Sequence, residues 1–461
     1  MERVSLVDVA RAVGAPCEGA GNVAVSGVST DSRSVAPGDV FFAVRGERFD
    51  GHAFVATAAA AGAAAAVVSD RSGLEGVPVP LLEVRDTVVA LGDLAAWYRK
   101  RFQVDVVGVT GTNGKTTTKD MTAAVLSSVR RTLKTEANLN SQIGVPITVL
   151  RLAREHESAV IEMGMDRPGQ IARLAAISSP RVGVVTNVSA AHMKTMGTVD
   201  EIARAKGELL EALPADGAAV LNADDARVMA QAGRTRARIV TFGLGEASDV
   251  RGVDVRETAG GLEFGVQGSS RVRIPVHGRH NVANALAALA VGRALGVPHE
   301  LGTRGLARFA PSPRRTAVVR AGRWTVIDDS YNSNPGSLRA ALETLVSIAA
   351  GGRPTAAALG DMLELGEASE SAHREAGRLA AELKIGLLFL FGREVQAIRA
   401  GALEAGMAPE RVTVFEDKSK LVEALRGRAG NEPLVLLVKG SRGMRMEEVV
   451  ELLAGETPVS S

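Results

Sequence analysis

Gly111-Thr112-Asn113-Gly114-Lys115-Thr116-Thr117 combines the residue types that grip a phosphate chain. Two glycines let the backbone approach anionic oxygens closely. Backbone N–H groups at a helix start point at the anion, and Lys115 adds a full positive charge. The Thr116 hydroxyl is placed to ligate Mg²⁺ beside the phosphates. The loop departs from the strict Walker pattern, because Val109 stands where that pattern has its first glycine. Further chemistry-bearing residues follow apolar runs. Glu162 closes the run 159–161, where a carboxylate can hold Mg²⁺ or equally be a surface group. His192 follows the run 182–186 by a short segment, at the same expected sheet edge. Lys206, in Lys206-Gly207-Glu208, reads by composition as a solvated helix lysine. Three polar clusters come later: 328–335, Gly360-Asp361-Met362 and Lys439-Gly440-Ser441-Arg442. Singly each could be a solvated turn; together, each after a strand, they describe one binding face. No Cys/His spacing points to zinc, and no Gly-x-Ser-x-Gly motif or paired nucleophilic cysteine points to covalent hydrolase chemistry.

These residues need a scaffold that delivers strand ends to one edge. The run 104–109 predicts a strand into the glycine loop, and a polar run with helical spacing follows from Lys119. From there strands and helices alternate: strands 159–162, 182–186 and 219–222, helices near 171–176 and 199–212. That alternation predicts a parallel sheet covered by helices. Residues 242–277 alternate in strand fashion and predict an antiparallel edge; 280–295 is Ala-rich and helical. Ala310-Pro311-Ser312-Pro313 reads as a linker, after which 313–461 alternates again as a second doubly wound unit. The fold class is therefore α/β, in three domains: a small α/β unit over 1–86, a central phosphate-loop domain over 87–312 and a Rossmann-like domain over 313–461. A length of 461 residues fits that count, and 46% hydrophobic residues with 3% aromatics imply aliphatic cores. The balance of 54 basic to 52 acidic residues gives no field that argues for nucleic acid or a membrane surface. The basic group Arg130, Arg131 and Lys134 reads as a solvated helix end. One cysteine, Cys17, excludes an internal disulfide and fits a reducing compartment. The charged start Met1-Glu2-Arg3 predicts no signal peptide. The uncharged segment 53–69 is short for a membrane span and weak in Leu, Ile and Phe, so a helix over 53–61, a stop at Gly62 and a strand over 64–68 are expected. A soluble, cytoplasmic protein is expected.

At this point the residues resemble a family. Thr110-Gly-Thr-Asn-Gly-Lys-Thr116, Asn138-Leu-Asn140, Ile143-Gly-Val-Pro146, Glu162, His192, Lys206 and Gly278-Arg-His-Asn281-Val-Ala-Asn284 are similar to the Mur ligases, the ATP-dependent amide-bond-forming enzymes of peptidoglycan precursor synthesis. The resemblance covers essentially the whole chain. Asp328-Asp-Ser-Tyr-Asn-Ser-Asn-Pro335, Leu359-Gly-Asp-Met-Leu-Glu-Leu-Gly366 with Ser369 and His373, and Lys439-Gly-Ser-Arg442 resemble the MurF type. Asp31-Ser-Arg33 and Asp50-Gly-His52 resemble the UDP-binding domain shared by the MurE and MurF types.

That resemblance implies roles. Gly111 to Thr117 and Lys115 would hold ATP, and Thr116 and Glu162 would hold Mg²⁺. His192 would ligate a second Mg²⁺. Lys206 matches a lysine that the family carbamylates, which replaces its positive charge with an anion beside the metal. Asn281, Asn284, Arg315, Asp329 and Tyr331 would contact the nucleotide. Asp31, Ser32, Arg33, Arg45 and Asn138 would serve the UDP-substrate, and Asn332 and Asn334 the incoming dipeptide. The implied partners are UDP-N-acetylmuramoyl-tripeptide and D-alanyl-D-alanine, with ATP and Mg²⁺, acting on a monomer without nucleic acid or membrane insertion. Departures are small: Ala137 where the family often has Gly, Ser141 for Asn and Ser333 for Ala. The competing readings are a MurE-type ligase, folylpolyglutamate synthetase and a P-loop regulatory ATPase. The Asp-Asn-Pro-Arg signature of the first is missing, and Asp31-Ser-Arg33 does not fit the second.

Overall fold

The computed structural model describes residues 1–16, 23–46, 49–191, 193–269, 271–350, 352–429 and 432–455. Cys17 and His192 lie outside the described residues. After the two-stranded antiparallel pair of Val4–Ser5 with Ala24–Val25, a four-stranded parallel sheet runs in the order Gly27–Ser29, Asp39–Phe42, Ala65–Val68, Leu81–Glu83. The Ala-rich segment forms a 3₁₀ turn, Gly51–Phe54, then the helix Val55–Ala60. The α-helix starts two residues later than expected because Asp50 caps that turn, accepting from the His52 backbone N–H at 3.0 Å. The helix Thr87–Arg99, capped by Asp86, leads into the central unit.

A nine-stranded sheet forms that unit. Asp105–Thr110 lies inside it, beside Ser158–Glu162 on one flank and Val182–Val185 on the other, all parallel. The chain runs first to one side of Asp105–Thr110 and then crosses to the other, so the loop after this strand opens at a topological switch point. The expected antiparallel edge is present: Val250–Thr258, Gly261–Val266 and Arg271–Ile274 pair in succession. The sequence reading missed several elements of this unit, among them the edge strand Thr132–Lys134 and the helices Gly144–Val149 and His299–Ala307. The first has only three residues and ends on Lys134, which gives no usable alternation.

The phosphate-loop helix Lys115–Leu126 carries a polar sequence yet is buried along most of its length. The helices His280–Ala294 and His299–Ala307 cover it. Its buried charges are paired: Asp120 sits 3.0 Å from Lys119 and 2.6 Å from Lys134, and Lys119 also donates to the Thr135 carbonyl. Lys134 is therefore a partner of this helix rather than a solvated end. A six-stranded sheet completes the fold, in the order Ala317–Ala321, Trp324–Asp329, Val435–Lys439, Thr355–Gly360, Leu387–Phe391, Val412–Phe415. All but the first pair are parallel. Among the described residues no helix is long and apolar enough to cross a membrane.

Candidate functional site

The loop between Thr110 and Lys115 is held by local geometry that only glycine permits at two points. Gly114 starts the helix with φ 77°, and a Cβ there would lie 2.4 Å from Asn284 Oδ1. A Cβ on Gly111 would lie 1.8 Å from Thr186 Oγ1. The segment after Val182–Val185 then fastens the loop from the neighbouring strand. Asn187 Oδ1 accepts from the Asn113 N–H at 2.9 Å, and Thr186 Oγ1 donates to the Asn113 carbonyl at 2.7 Å. Thr112 and Ser189 exchange two more bonds.

Two lysines converge on one carbonyl of this loop. Lys115 Nζ donates to Gly111 O and Thr112 O, each at 2.9 Å. Lys206 Nζ also donates to Gly111 O, at 2.9 Å. Composition marked Lys206 as solvated; it is only 4% exposed. Burial holds both ammonium groups below the usual lysine range. For Lys115 the nearby Glu162 charge pulls back towards the charged form, and Arg315 adds to the lowering. For Lys206 the lowering is large, and Lys115 adds to it.

Glu162 is 1% exposed. Its Oε1 accepts from Asn140 Nδ2 at 2.8 Å, while Oε2 is buried without a hydrogen-bond partner. A buried carboxylate oxygen left in that state is costly unless something else meets it. A hard divalent cation fits, and the donor set is of the right kind: one carboxylate and the Thr116 hydroxyl beside a phosphate cradle. Among the described residues no three His, Cys, Asp or Glu side chains form a ready-made cage. That matches Mg²⁺, which usually takes one or two carboxylates plus phosphate oxygens.

The C-terminal unit faces the loop across a cavity of about 1150 Å³. The cavity is lined by Gly111 to Thr117, Glu162 and Lys206, and by Arg315, Asp329, Tyr331, Asn332, Asn334 and Lys439 opposite. Lys439 is buried, donating to Asp329 Oδ2 at 2.5 Å and to the Asn332 carbonyl at 2.8 Å. Asp329 Oδ1 accepts from the Thr316 N–H at 3.0 Å. Arg315 stacks on Tyr331, with its guanidinium carbon 4.0 Å from the ring centroid. Two of the three expected polar clusters thus line the cavity. In the third, Asp361 turns away and accepts from the Arg393 and Val395 N–H groups. His373, buried, accepts from the Met362 N–H at 2.9 Å and donates to the Ser369 carbonyl, which fixes that loop from behind.

Other expected residues sort by position. Asn284 lines the cavity, but its side chain bonds Thr118 and Asn281, and Asn281 in turn bonds the His277 carbonyl. Arg45 reaches the cavity from the N-terminal unit and pairs with Asp50 at 3.0 Å. Asp31 and Arg33 pair with each other at 2.7 Å in exposed positions, and that hydrogen bond pulls the Asp31 carboxyl down to about 2. Asn138 is exposed. His192, expected at the metal, lies outside the described residues. The sequence reading missed Asn140, the partner of Glu162, although it stood in the quoted Asn138-Leu-Asn140 motif. It also missed His280, which lines the cavity.

Ala137, one of the departures, sits in the left-handed region at φ 46°. Ala137→Gly should raise stability by about 0.5–1 kcal/mol, because glycine relieves a left-handed strain slightly larger than the unfolded-state entropy it adds. Urea unfolding midpoints read this, and an unchanged or lowered midpoint would count against strain at 137.

Residues 24–99 match the Mur ligase family catalytic domain, 109–292 the Mur ligase middle domain and 314–442 the Mur ligase glutamate ligase domain. The chain is 38% identical over 439 residues to the UDP-N-acetylmuramoyl-tripeptide–D-alanyl-D-alanine ligase of Escherichia coli, covering 94% of each chain. Its fold superposes on a crystal structure of MurF from Acinetobacter baumannii with a TM-score of 0.91 at 32% identity, covering 99% of this chain and 100% of that one. MurF ligase from Thermotoga maritima in complex with ADP gives a TM-score of 0.82 at 29% identity, covering 94% and 98%.

Proposed function

The chain belongs to the Mur ligase family, and from that premise we propose that it joins D-alanyl-D-alanine to UDP-N-acetylmuramoyl-tripeptide at the expense of ATP, in cytoplasmic peptidoglycan precursor synthesis. The observation that carries the reading is the shared cavity. There a phosphate loop with Lys115, a buried carboxylate with one unpartnered oxygen, and a polar cluster from a second sheet face one another. Such a site can hold a nucleotide on one wall and two further substrates against the other. It contains no need for a protein nucleophile.

The reaction divides into two displacements. The tripeptide's terminal carboxylate attacks the γ-phosphorus, the β–γ bridging P–O bond breaks, and ADP leaves an acyl phosphate. The dipeptide amine then attacks the acyl carbon and inorganic phosphate departs. In the first step charge spreads over the γ-phosphoryl oxygens. Lys115, released from the Gly111 and Thr112 carbonyls, meets that charge together with the N–H groups at the start of Lys115–Leu126. Arg315, stacked on Tyr331, supplies a second cation from the opposite wall. Thr116 and Glu162 would hold Mg²⁺, joined by His192 and a carbamylated Lys206 on the family pattern; the metal would neutralise charge on the bridging and transferred phosphates. Asp31, Ser32, Arg33 and Arg45 of the N-terminal unit, with Asn138, serve the UDP-substrate. Asn332 serves the dipeptide.

The test is phosphate release by purified protein given ATP and UDP-N-acetylmuramoyl-tripeptide, with and without D-alanyl-D-alanine. Release should depend on the dipeptide and match amide product mole for mole. Release indifferent to the dipeptide would instead fit a regulatory ATPase.

A further inference from the structure

Asn113 and Asn334 lie 221 positions apart and exchange two side-chain hydrogen bonds. Asn334 Nδ2 donates to Asn113 Oδ1 at 2.7 Å, and Asn113 Nδ2 donates to Asn334 Oδ1 at 3.3 Å. The amide orientation of Asn334 is set independently. Asn334 caps the helix Pro335–Ile348, so its Oδ1 must accept from the Ser337 N–H, at 2.9 Å, in a reciprocal capping box. That leaves Nδ2 to face the phosphate loop. On the other side, the Asn113 backbone is already saturated by Thr186 and Asn187 of the central unit. Its side chain alone is available to cross between the sheets.

The pair brings a helix N-terminus onto the nucleotide loop. A Cβ on Gly336, at the first turn of that helix, would lie 3.2 Å from Asn113 Nδ2. Gly336 and Ser337 line the shared cavity. The same helix is fixed on the central unit near its far end, where Ser347 Oγ donates to Glu257 Oε2 at 3.0 Å. A rod of 14 residues is thus pinned at both ends, and only the N-terminal pin touches the loop that holds phosphate.

We propose that Asn334 is a positioning residue. Its exchange with Asn113 docks the C-terminal unit against the phosphate loop, so that Arg315, Tyr331 and the positive end of Pro335–Ile348 reach the transferring phosphoryl group only when the loop is correctly set. The proposal rests on the ligase reading and takes Asn334 away from the dipeptide, where the family resemblance had placed it.

Asn334→Ser tests it, because serine keeps the helix cap but cannot reach Asn113. The expected result is an unchanged melting temperature, ATP affinity within about twofold of wild type, and kcat lower by about tenfold. Asn113→Ser should cost a similar factor, and the double variant should be no worse than the worse single one. Full kcat in Asn334→Ser, or losses that multiply in the double variant, would overturn the proposal. Small-angle scattering in ADP reads docking without turnover: Asn334→Ser should show a larger radius of gyration than wild type, and an identical radius would overturn it. Should the wild-type protein form no amide product, the ligase reading alone falls, and scattering still decides the docking role.

Discussion

Lys115→Ala should lower amide formation by about a thousandfold while leaving the protein folded. The magnitude follows from what Lys115 does at two stages. In the structure its ammonium donates to Gly111 O and Thr112 O, and desolvation lowers its proton affinity. That desolvation cost is recovered only when a phosphate replaces the carbonyls, and most fully when charge on the γ-phosphoryl group is greatest. The interaction is therefore stronger in the transition state than in the ground state, so its loss falls on kcat. The fold should not suffer. Alanine removes a desolvated cation, and the loop keeps its ties to Thr186, Asn187 and Ser189. Product formation and a thermal melt run side by side check both halves. Turnover above about a tenth of wild type would remove Lys115 from the γ-phosphate.

How much of this was legible beforehand depends on the physics of each residue. The phosphate loop was, because close approach of a backbone to an anion, and a left-handed residue at a helix start, both demand glycine at fixed offsets. The strand–helix alternation was legible for the same local reason, and the three larger sheets follow it. Lys206 was not. Nothing in Lys206-Gly207-Glu208 says that the helix Val199–Glu211 turns that side chain inward to Gly111, since burial there is decided by packing of distant segments. The polar helix Lys115–Leu126 hid its burial in the same way, its charges being matched by Lys134 and by Ser312, which donates to Asp120 at 2.6 Å from within the segment 310–313. Asp361 shows the opposite error. A polar residue after a strand was read as facing ligand, and it caps a neighbouring loop instead, which sequence position cannot distinguish.

Lys206→Ala should also be nearly inactive, with a loss of about a hundredfold or more. Unlike the Lys115 variant, it should be partly restored by formate or acetate. Lys206 is a buried lysine beside Lys115, at a site that must bind a polyanion, and burial lowers its hold on its proton well below the ordinary lysine value. A permanent cation there would be poorly served by one shared carbonyl. A neutral amine is the form that can add carbon dioxide, and the carbamate so formed would bring an anion into the cavity that Glu162 also lines. A small carboxylate diffusing into the space left by Lys206→Ala would replace that anion, whereas it could not replace Lys115. Full activity of Lys206→Ala without additives would refute the assignment. The unmodified lysine makes a second, separate signature in carbon-dioxide-free, metal-free buffer. The native state binds that proton less readily than the unfolded chain does. The cost to stability is therefore complete below the depressed value and fades as pH rises towards 10.5, the ordinary lysine value. Lys206→Met, which keeps the bulk without the titration, should thus be more stable than wild type at neutral pH, with the difference shrinking at alkaline pH. A difference that stays constant with pH would mean that Lys206 is charged in the folded protein, and the carbamate route would be closed to it.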